Sequence, residues 1–118
     1  MQGQGNTSHL HKLKGERIMY KTHNEKEINV DRTSYVGEIT TTYQTLVDTF
    51  GEPTKSDEYK VDAEWIIESP DGVVATIYNW KNGKNYLGNE GLDTVNIINW
   101  NVGGFDGEAI KLVTNILE

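Results

Sequence analysis

The chain has 118 residues and a mass of 13.3 kDa, with 36% hydrophobic and 25% charged residues, enough for one modest core and no second domain. It contains no cysteine, which excludes a disulfide framework, a thiolate nucleophile and a cysteine-ligated zinc or iron–sulfur centre. The formal net charge of −7 is unevenly placed: residues 1–32 hold six Lys/Arg against four Asp/Glu, whereas residues 33–118 hold five against fourteen. So acidic a body repels polyphosphate at long range, which argues against general nucleic-acid binding; a local cationic pocket for a small anion, or a basic protein partner, stays open. No apolar run approaches the roughly 20 residues that span a bilayer, so no membrane association is expected.

From the amino terminus, Met1 to Ser8 is polar, glycine-rich and without period, and cannot offset its ordering entropy. Residues 1–18 are therefore expected to be a disordered extension, followed by a partly ordered lead-in over 19–34. The codons AAA-GGA-GAA for Lys14-Gly15-Glu16 spell a purine-rich ribosome-binding sequence just ahead of Met19, which makes Met19 the expected natural start. His9 and His11 form an H-x-H pair, but no carboxylate cluster completes a site, so neither metal nor cofactor is expected there.

Residues 35–118 read as a single α+β domain. Tyr35–Ile39 is β-prone, and Thr40, Thr41 or Thr42 can cap the helix that follows. Tyr43, Leu46, Val47 and Phe50 make one apolar stripe at helical spacing, with Gly51 at the stop and Pro53 blocking continuation. The period then changes to two: Val61, Ala63, Trp65 and Ile67 face the core, while Asp62, Glu64, Ile66 and Glu68 face away. Ser69-Pro70-Asp71-Gly72 turns this strand into Val73–Tyr78, giving a β-hairpin. Asn82-Gly83 suits a tight type I′ turn, Val95–Val102 reads as a strand broken by Gly103-Gly104, and Asp106 caps a terminal helix that buries Ala109, Ile110, Val113, Ile116 and Leu117. The expected architecture is an antiparallel meander of about four strands with both helices packed on one face.

Two groups of residues carry candidate chemistry. Trp80, Lys81, Lys84, Asn85 and Tyr86 fall in one glycine-rich loop, where a ring can stack a nucleotide-like ligand and a lysine can meet its phosphate; equally, the rings pack on the core and the lysines are solvated. Asp62, Glu64 and Glu68 alternate onto one strand face, as a partner-binding acidic surface, a cation or acid–base site, or simply the solvent side of the strand. Beyond His23 there is neither Cys nor His, which excludes the usual nucleophilic triads.

The passages Phe50-Gly51-Glu52-Pro53, Lys60-Val61-Asp62-Ala63-Glu64-Trp65 and Asp71 to Gly88, with the late Trp100 and Gly103-Gly104, resemble small uncharacterised proteins of tailed bacteriophages and large DNA viruses. The resemblance spans roughly residues 35–118 and implies a viral origin, hence the host cytoplasm, without implying an activity. Asn101 stands where those proteins often carry His. A helix ending in Phe-Gly-x-Pro ahead of a Trp-bearing strand is also similar to small outer-membrane assembly lipoproteins and β-lactamase-inhibitor-like repeats, which are non-enzymatic binding modules. The resulting expectation is an anti-defence binder that sequesters a nucleotide-like messenger or blocks a host defence protein. The alternative is a small carboxylate- or metal-dependent enzyme of viral nucleotide metabolism. An uncovered sheet edge would also allow pairing with a second copy.

Overall fold

In the computed structural model, which describes residues 8–13, 16–23, 33–55 and 59–118, the period-two segments form one antiparallel sheet and the two apolar stripes form helices on it. The order along the chain is β1 (Ser8–Leu13), β2 (Glu16–Thr22), β3 (Ser34–Thr40), α1 (Tyr43–Phe50), β4 (Thr54–Lys55), β5 (Ala63–Glu68), β6 (Val74–Tyr78), α2 (Lys84–Leu87), two short 3-10 turns, β7 (Asn99–Gly104) and α3 (Glu108–Leu117). Across the sheet the strands run β1-β2-β5-β6-β7-β3, with β4 also pairing with β5. The expected meander is its centre, β5-β6-β7. It is extended by β3, which returns to β7 across the domain, and by the β1–β2 hairpin, which meets β5 at Lys21↔Glu68 and Thr22↔Ile67.

Cross-strand partners point to the same side of a sheet. Ala63, Trp65, Ile67, Ala75, Ile77, Trp100 and Val102 thus share one face, and all are buried beneath Leu46 and Phe50 of α1 and Ala109, Val113 and Ile116 of α3. Both helices lie on this face, as the sequence predicts. At eight residues α1 is too short to be stable alone. Its ends are fixed by the sheet: the Trp100 indole donates to the Thr41 carbonyl at 3.1 Å and the Trp65 indole to the Gly51 carbonyl at 2.7 Å. The two indoles meet edge to face at 5.4 Å, so one aromatic pair positions both helix termini. Thr42 is the cap, accepting from the Thr45 N–H at 3.0 Å, and Gly51 closes the helix at φ 89°.

Five local expectations are corrected. Disorder through residue 18 does not hold for residues 8–13 and 16–18, whose backbones pair in the β1–β2 hairpin; residues 1–7, 14 and 15 lie outside the described residues. The anchor is Tyr20, which is buried, meets Phe50 edge to face at 5.5 Å and donates to the Thr49 carbonyl at 2.9 Å. Asn82-Gly83 makes no type I′ turn, because Gly83 has φ −104° and opens α2. Val95–Ile98 is not strand but a 3-10 turn and its exit, where Ile97 enters the core. Gly103-Gly104 continues β7 instead of breaking it, since a Cβ at Gly103 would press on the Thr76 hydroxyl at 2.6 Å and one at Gly104 would collide with Ala109. The N-cap of α3 is Gly107 and not the expected Asp106, which stands one residue ahead of it and accepts from the Glu108 N–H at 2.9 Å.

Burial raises the Tyr20 phenol from its usual 10.0 to about 12. The unfolded chain therefore loses this proton first, so the Tyr20 contribution is intact below pH 10 and is lost as pH rises towards 12. Tyr20→Phe is expected to cost about 1 kcal/mol at neutral pH through the lost hydrogen bond, and to reduce the alkaline loss. Urea midpoints at pH 7 and above pH 10 check both.

Candidate functional site

The sheet end opposite the β5–β6 turn is where the loop residues gather. Continuing the β5–β6 register past Glu64↔Tyr78 brings Asp62 opposite Trp80, and Lys81 N–H donates to the Lys60 carbonyl at 2.9 Å. The loop from 79 to 92 is fixed here by one buried side chain. Asn79 is fully buried and uses its whole amide: Oδ1 accepts from the Asp62 and Ala63 N–H groups at 2.7 and 3.1 Å, and Nδ2 donates to Asp62 Oδ1 at 2.8 Å and Asn82 Oδ1 at 3.0 Å. Asp62 Oδ2 accepts from the Asn85 N–H at 3.1 Å, and Asn85 Nδ2 donates to the Val61 carbonyl at 2.7 Å. Gly83 is required at this knot, because a Cβ there would collide with the Asp62 carboxylate.

On this base stands a group of rings and cations in which Tyr59, Trp80 and Lys81 are exposed and Lys60, Tyr78 and Tyr86 half-buried. Lys81 has φ 62°, a left-handed backbone that is unfavourable for a side-chain-bearing residue and places it beside two rings. Its Nζ lies 5.8 Å from the centre of Trp80 and 5.6 Å from that of Tyr86. Lys60 Nζ lies 5.4 Å from the centre of Trp80. Tyr59 meets Tyr86 edge to face at 5.1 Å, and Tyr78 meets Trp80 in the same way at 6.2 Å. Trp80 is 43% exposed and Tyr59 64%, whereas Trp65 and Trp100 are fully buried. Among the described residues neither Lys60 nor Lys81 has a carboxylate within ion-pair distance. Their contacts with the exposed Trp80 ring are worth only about 0.5–1 kcal/mol each, so an anion can recruit the ammonium groups at small cost.

The predicted ligand residues divide accordingly. Trp80, Lys81 and Tyr86 converge; Lys84 turns to Asp93 at 3.4 Å, and Asn85 is committed to the knot. The sequence reading missed Tyr59 and Lys60, whose signal was the hairpin register carried beyond its last strand residue.

Of the expected acidic face, Glu64 and Glu68 share the helix-free side of β5, and Asp62 precedes the strand. Asp62 belongs to the loop knot, and Glu68 pairs with His23 Nε2 at 3.0 Å. Glu64 lies on the helix-free face in a cross-strand row with Tyr78, Asn101 and Glu38. Burial raises the Tyr78 phenol; the Asn101 hydrogen bond opposes this, while Glu64 and Tyr35 add to it. Among the described residues no group of three or more His, Asp or Glu is arranged to hold a metal ion, and no helix is long and apolar enough to cross a membrane. A cleft of about 420 Å³, lined by Met19, Tyr20, Lys21, Glu68, Ser69 and Pro70, lies at the other end of β5 from the rings.

Comparison with protein-family models, curated proteins and solved structures finds no match for this chain.

Proposed function

We propose that this chain is a viral accessory protein that acts as a non-enzymatic binder in the host cytoplasm. In this reading it captures a nucleotide-like messenger of host defence on the platform formed by Tyr59, Lys60, Trp80, Lys81 and Tyr86. The observation that carries the reading is a pair of lysines with no carboxylate partner among the described residues, set against the exposed Trp80 ring in a chain of net charge −7. An acidic body disfavours long polyanions, whereas a small ligand sees mainly the two local cations and can stack its base on a ring. Base stacking of this kind is worth about 1–3 kcal/mol, more than the lysine–ring contacts it replaces. The viral setting rests on the sequence resemblance alone.

Native mass spectrometry of the protein recovered from infected cells tests this. A nucleotide-sized mass released on denaturation, and lost in the Lys60→Ala/Lys81→Ala double variant, is expected. Recovery of the chain free of small molecules, or loading unchanged in that variant, would contradict it.

A further inference from the structure

We infer that the platform is built for a ligand with two bases joined by a phosphodiester, that is, a free dinucleotide. This rests on the proposed function and specifies its ligand. Lys81 Nζ is shared by two aromatic rings, 5.8 Å from the centre of Trp80 and 5.6 Å from that of Tyr86. One cation within reach of two rings matches one phosphate joined to two bases, as in a dinucleotide. A mononucleotide uses one ring and one cation and leaves the other ring idle. Lys60, 5.4 Å from the Trp80 centre, supplies a second cation for a terminal or second bridging phosphate. The backbone that holds Lys81 beside both rings is the unfavourable one, φ 62°, kept in place by its N–H bond to the Lys60 carbonyl. The rings stand on a short helix and a loop pinned through Asn79 and Asp62, so their spacing is set before a ligand arrives.

The chain has three tryptophans, and Trp65 and Trp100 are fully buried, so stacking on the exposed Trp80 can be read directly by quenching of tryptophan fluorescence. The probes are the dinucleotide ApA, with one phosphodiester and two bases, and AMP, which carries more charge and one base. Charge alone therefore favours AMP, and any preference for ApA reports the second base. ApA is expected to bind at least about tenfold more tightly than AMP. Tyr86→Ala should weaken ApA several-fold more than AMP and so remove that preference, and Tyr86→Phe, which keeps a stacking ring, should retain it. Equal binding of ApA and AMP, or equal weakening of both by Tyr86→Ala, overturns the dinucleotide assignment and leaves the proposed function standing. Absence of quenching by either probe overturns both. Tighter binding of a long oligodeoxyadenylate than of ApA at about 0.15 M salt would assign the rings to a polymer strand and likewise overturn the inference.

Discussion

Asn79→Ala is expected to destabilise the protein by roughly 3 kcal/mol or more, because it strips the partner from two backbone N–H groups and from a half-buried carboxylate at once. The Asp62 and Ala63 N–H groups both donate to Asn79 Oδ1, and Asp62 Oδ1 accepts from its amide nitrogen, with no room for a larger side chain at Gly83 to compensate. The effect should be visible beyond the midpoint of urea unfolding. Trp80 should lose its fixed setting, with greater accessibility to acrylamide, while Trp65 and Trp100 stay protected. Asp62→Asn should act in the same direction but more weakly, since an amide keeps one acceptor and turns an N–H towards the Asn85 N–H. A loss below about 1 kcal/mol for Asn79→Ala would mean that the knot does not hold the loop.

Trp65→Ala is expected to cost about 3–5 kcal/mol, the range for removing a fully buried aromatic side chain. Three consequences combine. A large cavity opens at the centre of the helix-bearing face, the edge-to-face contact with Trp100 disappears, and the Gly51 carbonyl at the end of α1 loses its indole donor. Trp65→Phe restores part of the volume without the donor and should fall between alanine and the parent. Thermal unfolding of the three proteins gives that order; a phenylalanine variant as stable as the parent would remove the helix-anchoring role of the indole.

What could be read from the sequence follows from how local each signal is. The α1 stripe, Thr42, Gly51, the β5–β6 hairpin and the α3 stripe are written in residues a few positions apart, where period and turn chemistry suffice. The return of β3 to β7 and the docking of β2 on β5 are contacts between distant segments, and nothing in Tyr35–Ile39 states which strand it will meet. Asn82-Gly83 carried a turn signal that lost to a tertiary one, because the Asn82 side chain accepts from Asn79 and Gly83 is needed for clearance beside Asp62. The double glycine of β7 was likewise a breaker on paper and a clearance device in the sheet.

The site was legible in part for the same reason. Trp80, Lys81 and Tyr86 stand close together in sequence and stay together in space. Asp62 looked like the first member of an alternating acidic row, yet it precedes the strand and turns into the loop. Lys84 looked equivalent to Lys81, but it opens α2 and pairs with Asp93, and Lys60 from the segment ahead of β5 takes the second cationic position.

The central claim is that the ring-and-lysine platform binds a nucleotide-like anion, and the most direct measurement is a set of amide and indole correlation spectra of the labelled protein during titration with AMP. The predicted result is a set of saturable shifts at the Trp80 indole and at the amides of Lys60, Lys81 and Tyr86, with Glu38, Glu64 and the buried Trp65 and Trp100 indoles unmoved. Spectra that do not change at millimolar AMP, or shifts centred on Glu38 and Glu64 of the helix-free face, would contradict it.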